Sequence, residues 1–180
     1  MKLNKSFTVN EYIKLSNSNT GMRSICLFTL YLFLISGCKS TKKTINMVPS
    51  EEATLLISMK KTACYGSCPV YEIQIFSDLT VILNGERYLD KVGNFFSTLP
   101  EKRLEELRSR FIEADFFSFQ DKYTERITDL PTTYVYFNDS GNEKKVMDYS
   151  GAPDALKNIE NDIASLLDEL KWSKVEQKEE

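Results

Sequence analysis

The hydrophobic period of this chain changes from two to about 3.6 at Pro100 and again at Pro153, and that double change sets the class of fold it can adopt. From Val70 to Phe76 the parity is strict: Val70, Glu72 and Gln74 lie on one side, and Tyr71, Ile73 and Ile75 on the other. This is the pattern of a half-buried strand. Thr54 to Lys60 is an apolar-rich strand before it. Ser77-Asp78 is a tight turn, Leu79 to Leu83 a returning strand, Asn84-Gly85 a strong turn signal, and Gly93 to Thr98 a further strand. After Pro100, Leu104, Leu107 and Phe111 fall at helical spacing, which predicts an amphipathic helix over residues 100–113 with Thr98 as its candidate N-cap and Glu101 at the favourable dipole end. Asp115-Phe116-Phe117-Ser118-Phe119 is an aromatic-rich link suited to filling a core. Thr133 to Phe137 and Lys144 to Tyr149 flank the turn residues Asp139 to Asn142. Pro153 opens a last helix with the apolar stripe Leu156, Ile159, Ile163, Leu166, Leu167 and Leu170, and Trp172 closes it. Strands, helix, two strands, helix predicts an α+β domain over residues 53–172: an antiparallel sheet of about five to six strands with two amphipathic helices packed on one face. Residues 173–180 are expected to be a frayed, charged tail.

Ahead of this domain lies Ile25 to Ile35, an uncharged apolar run preceded by Arg23. Eleven residues of helix cover only about half of a ~30 Å hydrocarbon core, so the run fits the apolar region of a signal peptide better than a spanning helix. It ends in Leu34-Ile35-Ser36-Gly37-Cys38, which resembles the lipobox of bacterial lipoproteins. That resemblance implies a signal peptide over residues 1–37, acylation of Cys38, and anchoring of the mature chain to a membrane through its acyl chains. Cleavage elsewhere and an uncleaved anchor are the alternatives. The polar segment before Ile25 is long, and Met22-Arg23-Ser24 would make an ordinary short leader start. Residues 38–52 are polar and form the expected tether. Lys39, in place of an aspartate after the lipidated cysteine, resembles the sorting pattern for the outer membrane, facing the periplasm.

Composition narrows function mainly by exclusion. There is no histidine, which removes Ser/His/Asp triads, Cys/His pairs and imidazole-ligated zinc. Without Lys2, Lys5, Glu11, Lys14 and Arg23, the mature chain keeps 19 basic and 25 acidic residues, a net of −6. That balance argues against a nucleic-acid surface and against electrostatic attraction to anionic lipid. No catalytic constellation, cofactor motif or metal-ligand spacing is expected; carboxylate pairs such as Glu105/Glu106 fit solvated charge. Asp129, within Thr128 to Thr133, suits a turn stiffened by Pro131.

One motif carries chemistry: Cys64-Tyr65-Gly66-Ser67-Cys68-Pro69. Once Cys26 leaves with the leader and Cys38 is lipidated, Cys64 and Cys68 are an even remainder in an oxidising compartment, which suggests a disulfide. Gly66 suits the sharp turn that closure needs. Two functional readings stand beside a structural clip. A redox dithiol would prefer two intervening residues and a helix start, whereas this pair has three, followed by Pro69 and a strand. The spacing is also similar to that of periplasmic copper chaperones, and Cu(I) accepts thiolate and thioether ligands, with Met59 and Met147 the available methionines.

Four segments in order, Thr62 to Tyr71, Ala114 to Phe117, Thr128 to Thr132 and Asp148 to Pro153, together resemble a bacterial family known only as a domain of unknown function, found in secreted and lipoprotein chains. The resemblance covers about Leu55 to Trp172 and implies domain limits and a cysteine pair, not an activity. The expected role is a non-enzymatic binding or structural module of the cell envelope with a protein partner there. The alternative is a thiol-based redox or Cu(I)-handling protein using Cys64 and Cys68.

Overall fold

The computed structural model describes residues 48–175. The leader, Cys38, most of the tether and residues 176–180 lie outside the described residues. The domain runs β1 (Leu55–Lys61), β2 (Val70–Phe76), β3 (Thr80–Arg87), β4 (Gly93–Thr98), α1 (Glu101–Glu113), a 3-10 turn (Phe116–Ser118), β5 (Lys122–Tyr123), β6 (Thr133–Asp139), β7 (Asn142–Asp148), α2 (Asp154–Ala164), α3 (Leu166–Glu169) and β8 (Ser173–Lys174). All eight strands form one sheet in the order β5-β7-β6-β1-β2-β3-β4-β8. Every pairing is antiparallel except the parallel contact of β5 with β7.

One parity of the sheet is buried: Ile57 and Met59 of β1, Tyr71, Ile73 and Ile75 of β2, Val81 and Leu83 of β3, Val135 and Phe137 of β6, and Val146 of β7. The helices join the same cluster through Leu104, Leu107 and Phe111 of α1 and Leu156, Ile159 and Ile163 of α2. Both helices therefore pack on one face, because the helical stripes meet the buried strand parity and leave the other parity, with Ile82, Phe96, Tyr134 and Tyr136, half-exposed. The aromatic link fills the core beneath α1. Phe116 meets Phe111 edge-on at 4.9 Å between centroids, and Phe111 stacks on Phe137 at 4.3 Å.

Eight strands exceed the five to six expected, and both additions are two-residue edge strands. β8 comes from the segment expected to fray. Trp172 donates its indole N–H to the Leu167 carbonyl at 3.1 Å, the Ser97 hydroxyl donates to Lys171 O at 3.0 Å, and Val175 N–H donates to Asn94 O at 2.8 Å. These bonds draw the chain onto β4. β5 docks likewise, with Met147 N–H donating to Asp121 O at 2.9 Å and Tyr149 N–H to Tyr123 O at 3.0 Å. Neither strand carries an alternating pattern, because its pairing rests on backbone bonds.

Three local expectations are corrected. Thr98 does not cap α1: it is the last residue of β4, opposite Thr80, and Pro100 holds the cap position with no side-chain bond to the helix. The last helix breaks at Ser165, whose hydroxyl donates to Asp162 O at 2.8 Å, so Leu166 and Leu167 belong to the short α3. Asn84-Gly85 is not a turn either. Gly85 lies inside β3, paired with Tyr71 on one side and Gly93 on the other. A Cβ there would sit 1.8 Å from the Lys91 carbonyl oxygen, since the β3–β4 loop folds back over it. Gly85→Ala should therefore lower stability by about 1–3 kcal/mol or more in urea unfolding, because backbone must move to admit one methyl group.

Candidate functional site

The antiparallel register sends three loops to one end of the sheet. Lys61 closes β1 opposite Thr133, which opens β6, and Val70 opens β2 opposite Arg87, which closes β3. The loops 62–69, 88–92 and 124–132 therefore lie side by side, with the link from Asp148 to Pro153 next to them. Three of the four recurring segments meet here. Thr62 N–H donates to Thr132 O at 2.9 Å and Thr132 N–H donates back to the Thr62 hydroxyl at 2.9 Å. Tyr65 N–H donates to Asp129 O at 3.3 Å, and Leu130 N–H donates to the Tyr149 hydroxyl at 3.4 Å. The Ser150 hydroxyl donates to the Glu125 carboxylate at 2.9 Å. Asp129 holds a left-handed backbone at φ 75° and accepts the Thr128 hydroxyl at 3.0 Å, the turn role expected of it. The fourth segment, around Phe116, lies in the core beside Phe137, near the opposite end of β6, and does not join the site.

Cys64 and Cys68 form a disulfide with 5.7 Å between Cα atoms. Gly66 is not what closes it: its backbone is not left-handed, and a Cβ there would meet only the Cys64 sulfur at an ordinary 3.7 Å. The clipped loop displays Tyr65, 89% exposed, at its tip. Met59 and Met147 do not complete a sulfur ligand set: Met59 is in the core, and Met147, opposite Tyr134, is on the other face of the sheet. Among the described residues no group of three or more Cys, Asp or Glu side chains is placed to hold a metal.

A buried charged cluster underlies this end, and the sequence reading did not single it out. Asp148, 2% exposed, ends β7, and Glu160, 5% exposed, faces it from α2. Lys157 pairs with Asp148 and reaches Glu160 at 3.5 Å. One oxygen of each carboxylate, Asp148 Oδ1 and Glu160 Oε1, is buried with no donor. Burial raises Glu160 to about 7, against the pull of Lys157 and with the help of Asp148, whose carboxylate takes a hydrogen bond from the protonated form. Burial also pushes the Tyr71 hydroxyl to about 12, with Glu160 adding to it. Desolvation pulls Lys157 down, but Asp148 and Glu160 outweigh it and hold its ammonium above the usual value. The available signal was positional: Glu160 stands within the ridge Leu156, Ile159 and Ile163, where an apolar residue is expected.

Beside the clipped loop is an open cleft of about 350 Å3 whose lining includes Lys61, Pro69, Tyr71, Tyr88, Lys91 and Asp168. It contains two lysines and a buried tyrosine but no nucleophile next to a base. This geometry defines a class: a one-sided α+β sheet domain whose loop end is stiffened by a disulfide and by interloop hydrogen bonds. Residues 55–167 match the family described as a domain of unknown function (DUF6438), and the chain belongs to it. No curated protein matches the chain.

Two outcomes follow. A group whose folded pKa is raised stabilises most below its unfolded value, and the gain is lost as pH rises through the folded one. The wild-type urea midpoint should therefore fall between about pH 5 and pH 8 as Glu160 ionises near 7. Glu160→Gln, which keeps a donor facing Asp148, should flatten that fall, so its midpoint relative to wild type rises with pH. Replacing Cys64 and Cys68 together by Ser should cost about 2 kcal/mol on the chain-entropy estimate for so short a loop, with the domain still folded.

Proposed function

We propose that this protein is a lipid-anchored module of the cell envelope, held at the membrane through Cys38 in an outer membrane facing the periplasm, and that it acts by binding rather than by catalysis. One observation carries the binding reading: Tyr65, 89% exposed, stands on a loop that is cross-linked at its base and hydrogen-bonded to its neighbour. A large rigid aromatic on a preorganised loop is costly to leave in water and loses little entropy on contact. The absence of histidine throughout the chain weighs on the same side. Anchoring draws its support from the apolar run Ile25 to Ile35 and the lipobox ending at Cys38, with Lys39 favouring the outer membrane.

Mass spectrometry of the native product should find an amino terminus at Cys38 bearing acyl chains, and Cys38→Ser should move the protein from the membrane to the soluble fraction. A free amino terminus elsewhere overturns the anchor. The thiol-based redox or Cu(I) reading is separated by the potential of Cys64–Cys68: a structural clip should lie below about −300 mV, and a working pair well above it.

A further inference from the structure

The groups that bear on Glu160 come from several elements packed around it. Lys157 lies one turn before it on α2 at 3.5 Å, Asp148 faces it from the end of β7, Lys61 pulls on it more weakly from the end of β1, and the buried Tyr71 hydroxyl on β2 shares its field. α3 adds Asp168, which lines the cleft with Lys61 and Tyr71. β5 and β6 place Tyr123 and Thr133 opposite Asp148, and the Tyr123 hydroxyl is taken up by Gln120 N–H at 3.1 Å. Asp148 Oδ1 and Glu160 Oε1 are buried without a donor. A second ionised carboxylate in such a place needs water or further donors, and the closed packing supplies neither.

The side of the cluster that can give way is the β5 side. α2 is fixed in the core by Leu156, Ile159 and Ile163, and β7 is paired with β6 from Asn142 to Asp148. Beyond Asp148 only the two-residue β5 completes the sheet, held by Met147 N–H on Asp121 O at 2.9 Å and Tyr149 N–H on Tyr123 O at 3.0 Å. The loop that follows β5 is exposed throughout residues 124–130, so little buried surface holds it down. It returns to the β7–α2 link through Leu130 N–H on the Tyr149 hydroxyl and through the Glu125 carboxylate on the Ser150 hydroxyl. A short edge strand and an exposed loop tied by a few hydrogen bonds belong to the low-stability end of a fold.

We infer that the buried cluster is a pH-operated latch: with Glu160 protonated, β5, the 124–132 loop and the 148–153 link stay docked, and loss of that proton releases this segment so that water reaches the carboxylates while the core strands and helices keep their places. Asp129 and Thr132 carry the bonds to the cysteine loop, so release also frees that loop on its β6 side. The latch stands apart from the binding reading above and holds with or without a partner. Its sign follows from burial. Glu160 is raised to about 7 in the docked form, so docking is favoured most below the ordinary value of 4.5 and the gain is lost as pH rises through about 7. Between those two values, one released proton raises the undocked fraction about tenfold from about pH 6 to about pH 8.

The test is hydrogen exchange of the full acylated chain in detergent, resolved to single amides from about pH 5.5 to about pH 8.5, with each rate divided by its intrinsic value at that pH. Corrected exchange at Leu130, Met147 and Tyr149 should rise about tenfold between about pH 6 and about pH 8 with little dependence on urea, whereas Ile73 and Leu83 in the core strands should exchange far more slowly and with a steep urea dependence. Glu160→Gln should remove the step. Asp148→Asn, which takes away the carboxylate that raises Glu160, should move the step to lower pH. A pH-independent corrected rate at the three amides overturns the latch. So does exchange of all five amides at one rate with one urea slope, which is global unfolding, and so does a step that survives Glu160→Gln or stays at the same pH in Asp148→Asn.

Discussion

β1 is the strand on which the rest of the domain depends. It bonds β2 along one edge and β6 along the other, so Met59 sits between Ile73 and Val135. The first pairing is local; the second joins residues far apart in sequence and brings the β6–β7 hairpin and α2 onto the sheet that already carries α1. Without it, two half-sheets would each have one exposed apolar face and one helix. With it, α1 and α2 share a floor, and Arg103 of α1 bonds Glu169 of α3 at 3.0 Å across the seam. The same register aligns Lys61 with Thr133, and that alignment sets the cysteine loop against Asp129. Fold and site thus come from one pairing.

Strong periodicity made much of this readable in advance. Tyr71, Ile73 and Ile75 are buried as their parity requires, and Leu104, Leu107 and Phe111 as their helical spacing requires. What could not be read are features decided by the approach of distant backbone. Gly85 looks like a turn because Asn-Gly usually is one; here glycine is needed because the Lys91 carbonyl crosses above it. β5 and β8 are strands only because β7 and β4 had unpaired edges to offer, and short caps of this kind blunt an edge that would otherwise invite another chain. The cysteine loop was legible as a motif; its neighbour, the loop around Asp129, was legible only as a turn, since the bond between them depends on β1–β6 register.

The buried charges beneath the loops show how the domain tolerates them. Among the described residues Lys157 is the ion-pair partner of both carboxylates, with Lys61 a weaker pull on Glu160, so full ionisation would leave excess negative charge in low dielectric next to Tyr71. Burial favours the protonated form of Glu160, which removes that charge and supplies a hydrogen-bond donor toward Asp148. Their placement has a mechanical consequence. Asp148 is followed by Tyr149, whose hydroxyl receives the Leu130 amide, so the cluster anchors the strand end that supports the 124–132 loop. A polar network in this position specifies the path of the chain at the point where the apolar core ends.

The disulfide is best understood through rigidity rather than through global stability. A loop of this length yields only about 2 kcal/mol, comparable with burying one aliphatic side chain, and the core already holds twenty buried hydrophobic residues. The clip lies outside that core, on a segment whose outer residues face water. Its effect is local: it restricts the backbone on both sides of Tyr65, and the bond from Tyr65 N–H to Asp129 O restricts it further. An unclipped loop would sample more backbone conformations. Cross-linking keeps the side chain displayed. A loop that served only to connect β1 to β2 would gain nothing from this, because two antiparallel neighbours are joined by far shorter turns elsewhere in the same sheet, as Ser140-Gly141 joins β6 to β7.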